Sequence, residues 1–150
     1  MAQNSGEKIK FHYLDVSFPF PNRRDLKAFV IKLFHKEGKK LETLHYIFCN
    51  DAYLLQLNQT HLKHNTYTDI ITFPLSDKKE PVIAEIYISV DRVRENAEKF
   101  DVTFLHELYR VIFHGALHLC GFKDKGKEQV RLMRKKENLY LKLYLVPRGT

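Results

Sequence analysis

The chain has 150 residues, a net charge of +7 and an isoelectric point of about 9.4. A chain of this length folds as one domain that buries roughly 70% of its extended surface. No apolar run approaches the ~18 residues of a membrane span, and the opening residues are mostly polar, so we expect neither an anchor nor a secretory signal, and a cytoplasmic protein. The final letters L-V-P-R-G-T resemble a protease-cleavage linker, so we expect a domain over residues 1–144 and an expression-tag remnant over 145–150.

The positive charge and the cysteine content narrow the function classes further. An excess of basic residues favours an anionic partner such as nucleic acid. Cys49 and Cys120 are too few for a disulfide framework, and their apolar neighbours are typical of reduced, packed thiols. On a helix, Cys120 would face away from His114 and His118, so we do not expect it to bind a metal with them.

The first half of the chain predicts strands that alternate with helices. Residues 9–18 have the rough alternation of a strand. Asn22 can cap a helix whose apolar residues repeat at helical spacing until Gly38. Residues 44–49 predict a second short strand, and Asn50 can cap the short helix that follows it.

The second half predicts two neighbouring strands followed by three helices. Residues 70–73 and 84–89 have strand spacing, and the turn-like segment between them favours an antiparallel pair. A short helix over residues 91–99 precedes a long apolar helix, for which Thr103 is the predicted cap. A final helix covers residues 127–143. The side chains expected to face the core from this last helix are Val130, Met133 and Tyr140.

The most informative segment lies at the end of the long apolar helix. His114 and His118 are four residues apart, so they share one helix face. Gly121 can end the helix, and Asp124 then lies where the returning chain could add a third metal ligand. The spacing matches the zinc-peptidase pattern H-E-x-x-H-x-x-G-x-x-H, but Gly115 replaces its general-base Glu and Asp124 its third His. These residues predict a metal site without peptidase chemistry.

Ordinary packed histidines are the main alternative to a metal site. The apolar residues before His114 predict a largely buried helix, and buried imidazoles need hydrogen-bond partners. Glu107 precedes His114 by one heptad, where it can orient that ligand or form a surface salt bridge. His106 is a weaker candidate of the same kind.

A run of basic residues follows the proposed third ligand. Positions 123–136 contain seven basic residues and two acidic ones. Such a stripe can hold phosphates beside a metal ion, because neutralising phosphates releases bound counterions. The candidates for phosphate contact in this stripe are Lys123, Lys125, Arg131, Arg134 and Lys135. A smaller lysine cluster, at positions 32, 36, 39 and 40, is better interpreted as the solvated face of a helix.

Three segments resemble one known family. Residues 114–122, H-G-A-L-H-L-C-G-F, are similar to the H-G-x-L-H-L-x-G-[YF]-D-H signature of the YbeY family, bacterial endoribonucleases of ribosomal RNA maturation. Residues 68–74, T-D-I-I-T-F-P, resemble the family's P-T-D-V-L-S-F-P block, and residues 84–89, A-E-I-Y-I-S, resemble its G-D-I-x-I-S block. Together with the apolar helix, the similarity covers approximately residues 45–140.

The resemblance implies both a fold and a function. The implied fold is a single α+β domain with a four-stranded mixed sheet packed against helices and a central, zincin-like metal helix. The implied function is that of a metal-dependent, single-strand-specific endoribonuclease in 16S rRNA 3′-end maturation and ribosome quality control. His114, His118 and Asp124 would hold one Zn²⁺, or another divalent ion, and activate a bound water. The implied partners are RNA, especially ribosomal RNA, the small ribosomal subunit and its assembly factors, with no membrane.

The chain departs from the family pattern at several positions. The last signature His falls on Asp124 and its Asp on Lys123, so a His/His/Asp set replaces three histidines. This harder oxygen ligand also suits manganese. A family Arg falls on Leu62 and a family Pro on Tyr67. The neighbours that could replace the guanidinium in holding phosphate are His61, Lys63 and His64.

Two other function classes stay open on the sequence. A metallopeptidase would need a general base that the signature lacks. A ribosome-assembly factor with a structural metal would show closed four-ligand coordination, whereas three protein ligands plus water mark a catalytic site.

Overall fold

The computed structural model describes residues 7–61 and 68–148, which form one open sheet covered by helices. Four strands and five α-helices follow one another in this described part of the chain. In chain order they are β1 (Ile9–Tyr13), α1 (Arg23–Lys36), β2 (Leu41–Cys49), α2 (Asp51–His61), β3 (Ile70–Pro74), β4 (Val82–Ser89), α3 (Val90–Lys99), α4 (Phe104–Leu119) and α5 (Lys127–Leu145).

The sheet is mixed, with strand order β1-β2-β4-β3. β1 pairs with β2 and β2 with β4 in parallel, whereas β3 pairs with β4 antiparallel. The register places Ile86 of β4 opposite both Tyr46 of β2 and Thr72 of β3. This arrangement confirms the single α+β domain with a four-stranded mixed sheet and the predicted antiparallel pair.

Helix α4 is the central helix of the fold. It contacts β3 and β4 of the sheet as well as α1, α3 and α5. Its apolar face, which includes Leu108 and Ile112, is fully buried. The buried hydroxyl of Tyr46 donates to the Ile112 carbonyl oxygen at 2.9 Å, so a polar contact joins the middle of the sheet to the middle of α4.

Gly115 lets α4 lie unusually close to the sheet. A Cβ atom at this position would lie 2.8 Å from Ile86 Cδ1 and 2.9 Å from Ile70 Cδ1. These distances are shorter than real Cβ contacts, so any side chain at residue 115 would have to displace isoleucines of β3 and β4. The position therefore faces the core, turned away from solvent.

The predicted helix ends and caps hold in most cases. The Asn50 side chain accepts from the Tyr53 amide at 2.8 Å, and the Thr103 hydroxyl accepts from the His106 amide at 3.1 Å. Gly38 has a φ of 75°, as expected for a helix stop. Asn22 precedes α1, but it adopts a left-handed conformation and its side chain makes no capping bond.

Two details of the sequence interpretation are wrong. β1 ends at Tyr13 rather than at residue 18, because the left-handed Asp15 (φ 55°) turns the chain away from the sheet. Val130 is 45% exposed rather than inward-facing, whereas Met133 and Tyr140 are buried as predicted. Val130 lies on the same face as the buried residues of α5, but in the first turn of that helix, where it lines an open cavity.

No helix within the described residues is both long and apolar enough to pass through a membrane.

The packing at Gly115 predicts a graded stability effect. We expect Gly115→Ala to change the free energy of unfolding by less than about 1 kcal/mol, because the helix propensity gained offsets displacement of two flexible Cδ1 atoms. Gly115→Val should destabilise the protein by roughly 2 kcal/mol or more, since its extra methyl groups overpack the interface with the sheet. Urea unfolding of both variants checks this, and equal stability of Gly115→Val and the parent would contradict the packing.

Candidate metal centre

The C-terminal end of α4 positions the predicted metal ligands. His114 and His118 lie one turn apart with nearly parallel rings, 6.5 Å between centroids and 5° between planes. Gly121 then adopts a φ of 107°, which turns the chain back toward the helix. The returning segment brings Asp124 Oδ2 to 3.4 Å from His114 Nε2.

The structure brings two of the three predicted ligands into contact and places the third one turn away. Among residues 7–61 and 68–148, no three His, Cys, Asp or Glu side chains form a group that could hold a metal ion as they stand. His118 is exposed on α4, and the Asp124 side chain is 45% exposed. The metal ligand set of His114, His118 and Asp124 therefore stays a prediction.

The imidazole of His118 is oriented by the loop that follows α4. Its Nδ1 lies 3.1 Å from the Phe122 carbonyl oxygen, and a carbonyl can only accept, so Nδ1 carries the proton. In the neutral ring the Nε2 lone pair is then available for a ligand. The turn at Gly121 thus fixes the tautomer of His118 as well as the direction of the chain.

The imidazole of His114 is oriented by Glu137 of α5. Its Nδ1 lies 2.6 Å from Glu137 Oε2, a carboxylate that is only 2% exposed. Burial of the ring opposes its charged form, but the hydrogen bond and charge of Glu137, with Asp124 and Asp69, outweigh burial and raise the pKa of His114. Burial likewise opposes ionisation of Glu137, but His114 and Arg110 lower its pKa. Glu137 is therefore an ionised acceptor.

Arg110 holds the carboxylate that orients His114. Its Nη1 lies 3.0 Å from Glu137 Oε1, and its other side binds both oxygens of Glu107. Asp69 Oδ2, immediately before β3, lies 3.9 Å from Arg110 Nη2. Burial raises the pKa of Asp69, and the positive charges of Arg110 and His114 partly offset that rise. One half-buried guanidinium thus lies between carboxylates of α4, of α5 and of the residue before β3.

Sequence reasoning missed Arg110, Glu137 and the position of Asp69. Arg110 precedes His114 by one helical turn, so its place on the same face was visible in the spacing. Glu137 lies between Met133 and Tyr140 on the buried stripe of α5, and a carboxylate on an apolar stripe needs a partner. The position of Asp69 depends on the pairing of β3 and has no comparable local signal.

Two other candidates from the sequence have roles that differ from the expected ones. Glu107 is 1% exposed and pairs with Arg110, so it reaches His114 only through Arg110 and Glu137. His106 is half-buried, and its Nδ1 has no hydrogen-bond partner within the part of the chain that the structure describes. Cys49 and Cys120 are free thiols, as expected, and burial raises the pKa of each to about 12.

The basic residues after Asp124 lie along the outer side of α5. Lys125, Arg131, Arg134 and Lys135 line one open cavity of about 790 Å³. The Arg134 guanidinium lies 3.7 Å from Glu137, which ties this cavity to the carboxylate that orients His114. Arg131 pairs with Glu128 at the surface, and Lys123 is exposed.

The remaining predicted positions follow α2. Lys63 and His64, together with the departures at Leu62 and Tyr67, lie outside the described residues. His61 is the last residue of α2, and its exposed ring meets Phe73 of β3 edge-on at 5.9 Å.

The donor chemistry of this site fits a divalent metal ion. Both histidines have Nδ1 engaged in a hydrogen bond, so Nε2 is the nitrogen that each can offer to an ion, and Asp124 Oδ2 lies 3.4 Å from Nε2 of His114. Metal-binding histidines commonly donate their other ring N–H to a carboxylate or a carbonyl, as His114 and His118 do here. Two imidazoles and one carboxylate are also a ligand set that zinc accepts.

Comparison with known proteins decides the family. The family described as Endoribonuclease YbeY matches residues 16–144 of the chain. The chain belongs to the YbeY family. The resemblance inferred from three short segments is thus confirmed over most of the sequence.

Individual YbeY relatives match over nearly their whole length. The Endoribonuclease YbeY of Flavobacterium psychrophilum is 44% identical over 138 residues, which cover 92% of this chain and 97% of that protein. The Endoribonuclease YbeY of Cytophaga hutchinsonii is 42% identical and covers 91% and 96% of the two chains. A solution structure of a Thermotoga maritima protein matches with a TM-score of 0.63 at 28% identity, covering 89% of this chain and 88% of that one.

The carboxylates around Arg110 predict a large stability difference between two arginine variants. Arg110→Met should lower the free energy of unfolding by about 3–5 kcal/mol, because Glu107 and Glu137 would remain buried without their cation. The matched control Arg131→Met removes an exposed ion pair and should cost less than about 1 kcal/mol. Urea denaturation measures both values, and similar losses in the two variants would contradict the arrangement.

Proposed function

We propose that this chain is an endoribonuclease that uses one divalent metal ion, Zn²⁺ or another, to cut single-stranded RNA. Its membership of the YbeY family and the names of its relatives support the reaction class. The substrate is ribosomal RNA, the cut contributes to 16S rRNA 3′-end maturation and ribosome quality control, and the partners are the small ribosomal subunit and its assembly factors. We place this activity in the cytoplasm.

The observation that carries the metal proposal is the orientation of the two imidazoles. Glu137 and the Phe122 carbonyl each accept from one Nδ1, so Nε2 is the ring nitrogen of each histidine that would bind an ion, which at His114 would displace the proton that its raised pKa favours. Asp124 lies on the Nε2 side of His114. These are the donors that would hold the ion, and the pair at 3.4 Å needs only small side-chain adjustments to share it.

When bound, a divalent ion supplies Lewis-acid charge that stabilises the developing negative charge on the phosphoryl group. The other tasks belong to side chains of the chain itself. His114, His118 and Asp124 would hold the ion in place, and Glu137, itself held by Arg110, keeps the His114 ring from rotating. Residue 115 supplies no proton acceptor, because glycine occupies it and its Cβ position points into Ile70 and Ile86.

The same packing argues against the peptidase alternative. In the zinc-peptidase pattern the residue after the first His is the general-base Glu. A glutamate at residue 115 would have to enter the interface between α4 and the sheet, where a buried carboxylate without a partner costs several kcal/mol. The fold therefore disfavours a base at the position where that mechanism needs it.

The cavity along α5 gives the RNA backbone a path to the site. Its basic side chains are mostly exposed and free to reach phosphates, and Arg134 lies beside Glu137. Contacts of this kind position RNA without reading its sequence. The proposed RNA-binding set consists of Lys123, Lys125, Arg131, Arg134 and Lys135, with Lys63 and His64 retained from the sequence.

Removal of the predicted ligands tests the metal site. We expect His114→Ala and His118→Ala to lose Zn²⁺ binding and chelator-sensitive RNA cleavage together. Asp124→Ala should weaken both, and Asp124→His should retain them because Zn–N and Zn–O distances are similar. Glu137→Gln should weaken Zn²⁺ binding by about 10- to 100-fold, since it removes the charged acceptor that orients His114. Isothermal titration with Zn²⁺ measures each affinity.

The control for this series is an exposed histidine remote from the site. His35→Ala on α1 should leave Zn²⁺ affinity and RNA cleavage unchanged. Full zinc occupancy by elemental analysis in the His114→Ala/His118→Ala double variant would show that the ion, if any, binds elsewhere. Zinc binding without any RNA cleavage by the parent protein would favour the structural-metal alternative.

The basic cavity predicts a salt effect. Replacing Arg131, Arg134 and Lys135 by Gln should flatten the dependence of log affinity on log salt for single-stranded RNA by about 0.7 per lost phosphate contact. The control replaces Lys78 and Lys79, which are exposed in the turn between β3 and β4, and should leave the slope unchanged. Equal slopes in all three proteins would place the RNA path elsewhere.

A further inference from the structure

A second cavity lies where β1 leads into α1, at the other end of the fold's central helix. It has a volume of about 610 Å³ and is lined by aromatic and basic side chains. The aromatic members are Phe11, Tyr13 and Phe20, and the basic members are Arg23, Arg24 and Lys27. We refer to it as the β1–α1 pocket.

The aromatic side of the β1–α1 pocket is rigid and partly open. Phe11 and Phe20 stack with centroids 5.2 Å apart and planes 18° from parallel. Tyr13 is 36% exposed, and its inner face stacks on the buried Phe48 at 5.5 Å. Because Phe48 supports Tyr13 from within, the outward part of the tyrosine ring is presented to solvent in a fixed orientation.

The basic side of the pocket carries three positive charges. Arg23 and Arg24 are exposed in the first turn of α1, and the Lys27 ammonium lies 4.9 Å from the centre of the Phe11 ring. Arg23 Nη1 also donates to the Tyr13 hydroxyl at 3.4 Å, which joins the basic side to the aromatic one. The salt bridges found among the described residues include none of these three cations.

Two of these charges are not what the start of α1 requires. The helix dipole favours acidic side chains in a first turn, and Asp25 supplies one there, whereas Arg23 and Arg24 oppose that preference. Their charges are instead directed at the solvent beside exposed aromatic surface. An anionic ligand with a flat aromatic part satisfies both sides of such a pocket.

We propose that the β1–α1 pocket binds a nucleotide of single-stranded RNA, with its base against Tyr13 and its phosphate between Arg23 and Arg24. This inference rests on the proposed endoribonuclease function, which supplies RNA as the ligand. Aromatic side chains beside a basic groove are the general means of holding single strands, because every base has a face that can stack. A duplex would keep its bases paired and would not offer them to Tyr13.

The pocket and the candidate metal centre lie towards opposite ends of α4. Phe18 lies 5.1 Å from Phe20 and 5.4 Å from Phe104, the first residue of α4, measured between ring centroids. Phe104 and His114 are ten residues apart on α4, which corresponds to about 15 Å along the helix axis. A nucleotide in the pocket would therefore lie several nucleotides away from the phosphate that is cut.

Fluorescence anisotropy with a labelled single-stranded RNA tests the proposal, using the full chain in the presence of a chelator so that no cleavage occurs. Tyr13→Ala should weaken binding by about 5- to 100-fold, the usual range for loss of one base stack, and Tyr13→Phe should retain it. Arg23→Gln with Arg24→Gln should reduce the salt slope by about 0.7, as the loss of one phosphate contact requires. The charge-matched control, Lys32→Gln in the second half of α1 with Lys40→Gln in the loop after it, should match the parent.

Further measurements separate the outcomes. RNA containing 5-iodouridine should crosslink on irradiation to a peptide that contains Tyr13, which tests the contact in the unaltered protein. The inference would be overturned if Tyr13→Ala kept the parent's RNA affinity and no such crosslink formed. It would also be overturned if only the arginine variant lost affinity and it lost RNA and heparin binding equally. Cleavage of the same RNA by the parent protein with metal is scored separately, so failure of the pocket and failure of the nuclease proposal give different results.

Discussion

The interface between α4 and α5 depends on one buried charge arrangement. Glu107 and Glu137 are almost completely removed from solvent, and each would be costly there without a cation. Arg110 supplies that cation from the same helix as His114, one turn earlier. The bidentate contact with Glu107 fixes the guanidinium on α4, and its single bond to Glu137 then fixes how α5 lies against α4. The imidazole of His114 receives its acceptor as a direct consequence of this register.

The close approach of α4 to the sheet limits the chemistry that the site can perform. Gly115 follows the first histidine, and its lack of a side chain allows contact with Ile70 and Ile86. The helix surface that could have carried a catalytic carboxylate is therefore used for packing. Charged groups reach the site from other elements instead: Asp69 from the start of β3, Asp124 from the returning loop and Glu137 from α5. In this fold, one face of α4 packs on the sheet, and a different face carries His114 and His118.

Local sequence signals predicted most of the fold and the histidine pair, whereas the surroundings of the pair required tertiary information. The caps at Asn50 and Thr103 and the turn at Gly121 follow from interactions within a few residues, so the sequence contains them. The pairing of Glu137 with His114 joins residues 23 positions apart and depends on how α5 is rotated. Hydrophobic spacing gives the buried face of α5 but not which residue of another helix that face meets, nor how far burial extends into the first turn, where Val130 is exposed.

Different kinds of contact surround the two ends of α4, and the difference affects how each end would hold a flexible substrate. At the C-terminal end, polar contacts orient His114 and His118 through single atoms, so small errors in position would change the donor geometry. At the N-terminal end, tilted and edge-to-face phenylalanine rings around Phe18 form broad apolar contacts that depend little on exact orientation. A contact that tolerates any base suits an aromatic surface, whereas a reaction at one phosphate needs fixed donors. Helix α4 lies between them and keeps the base-stacking contact at a constant distance from the reacting phosphate.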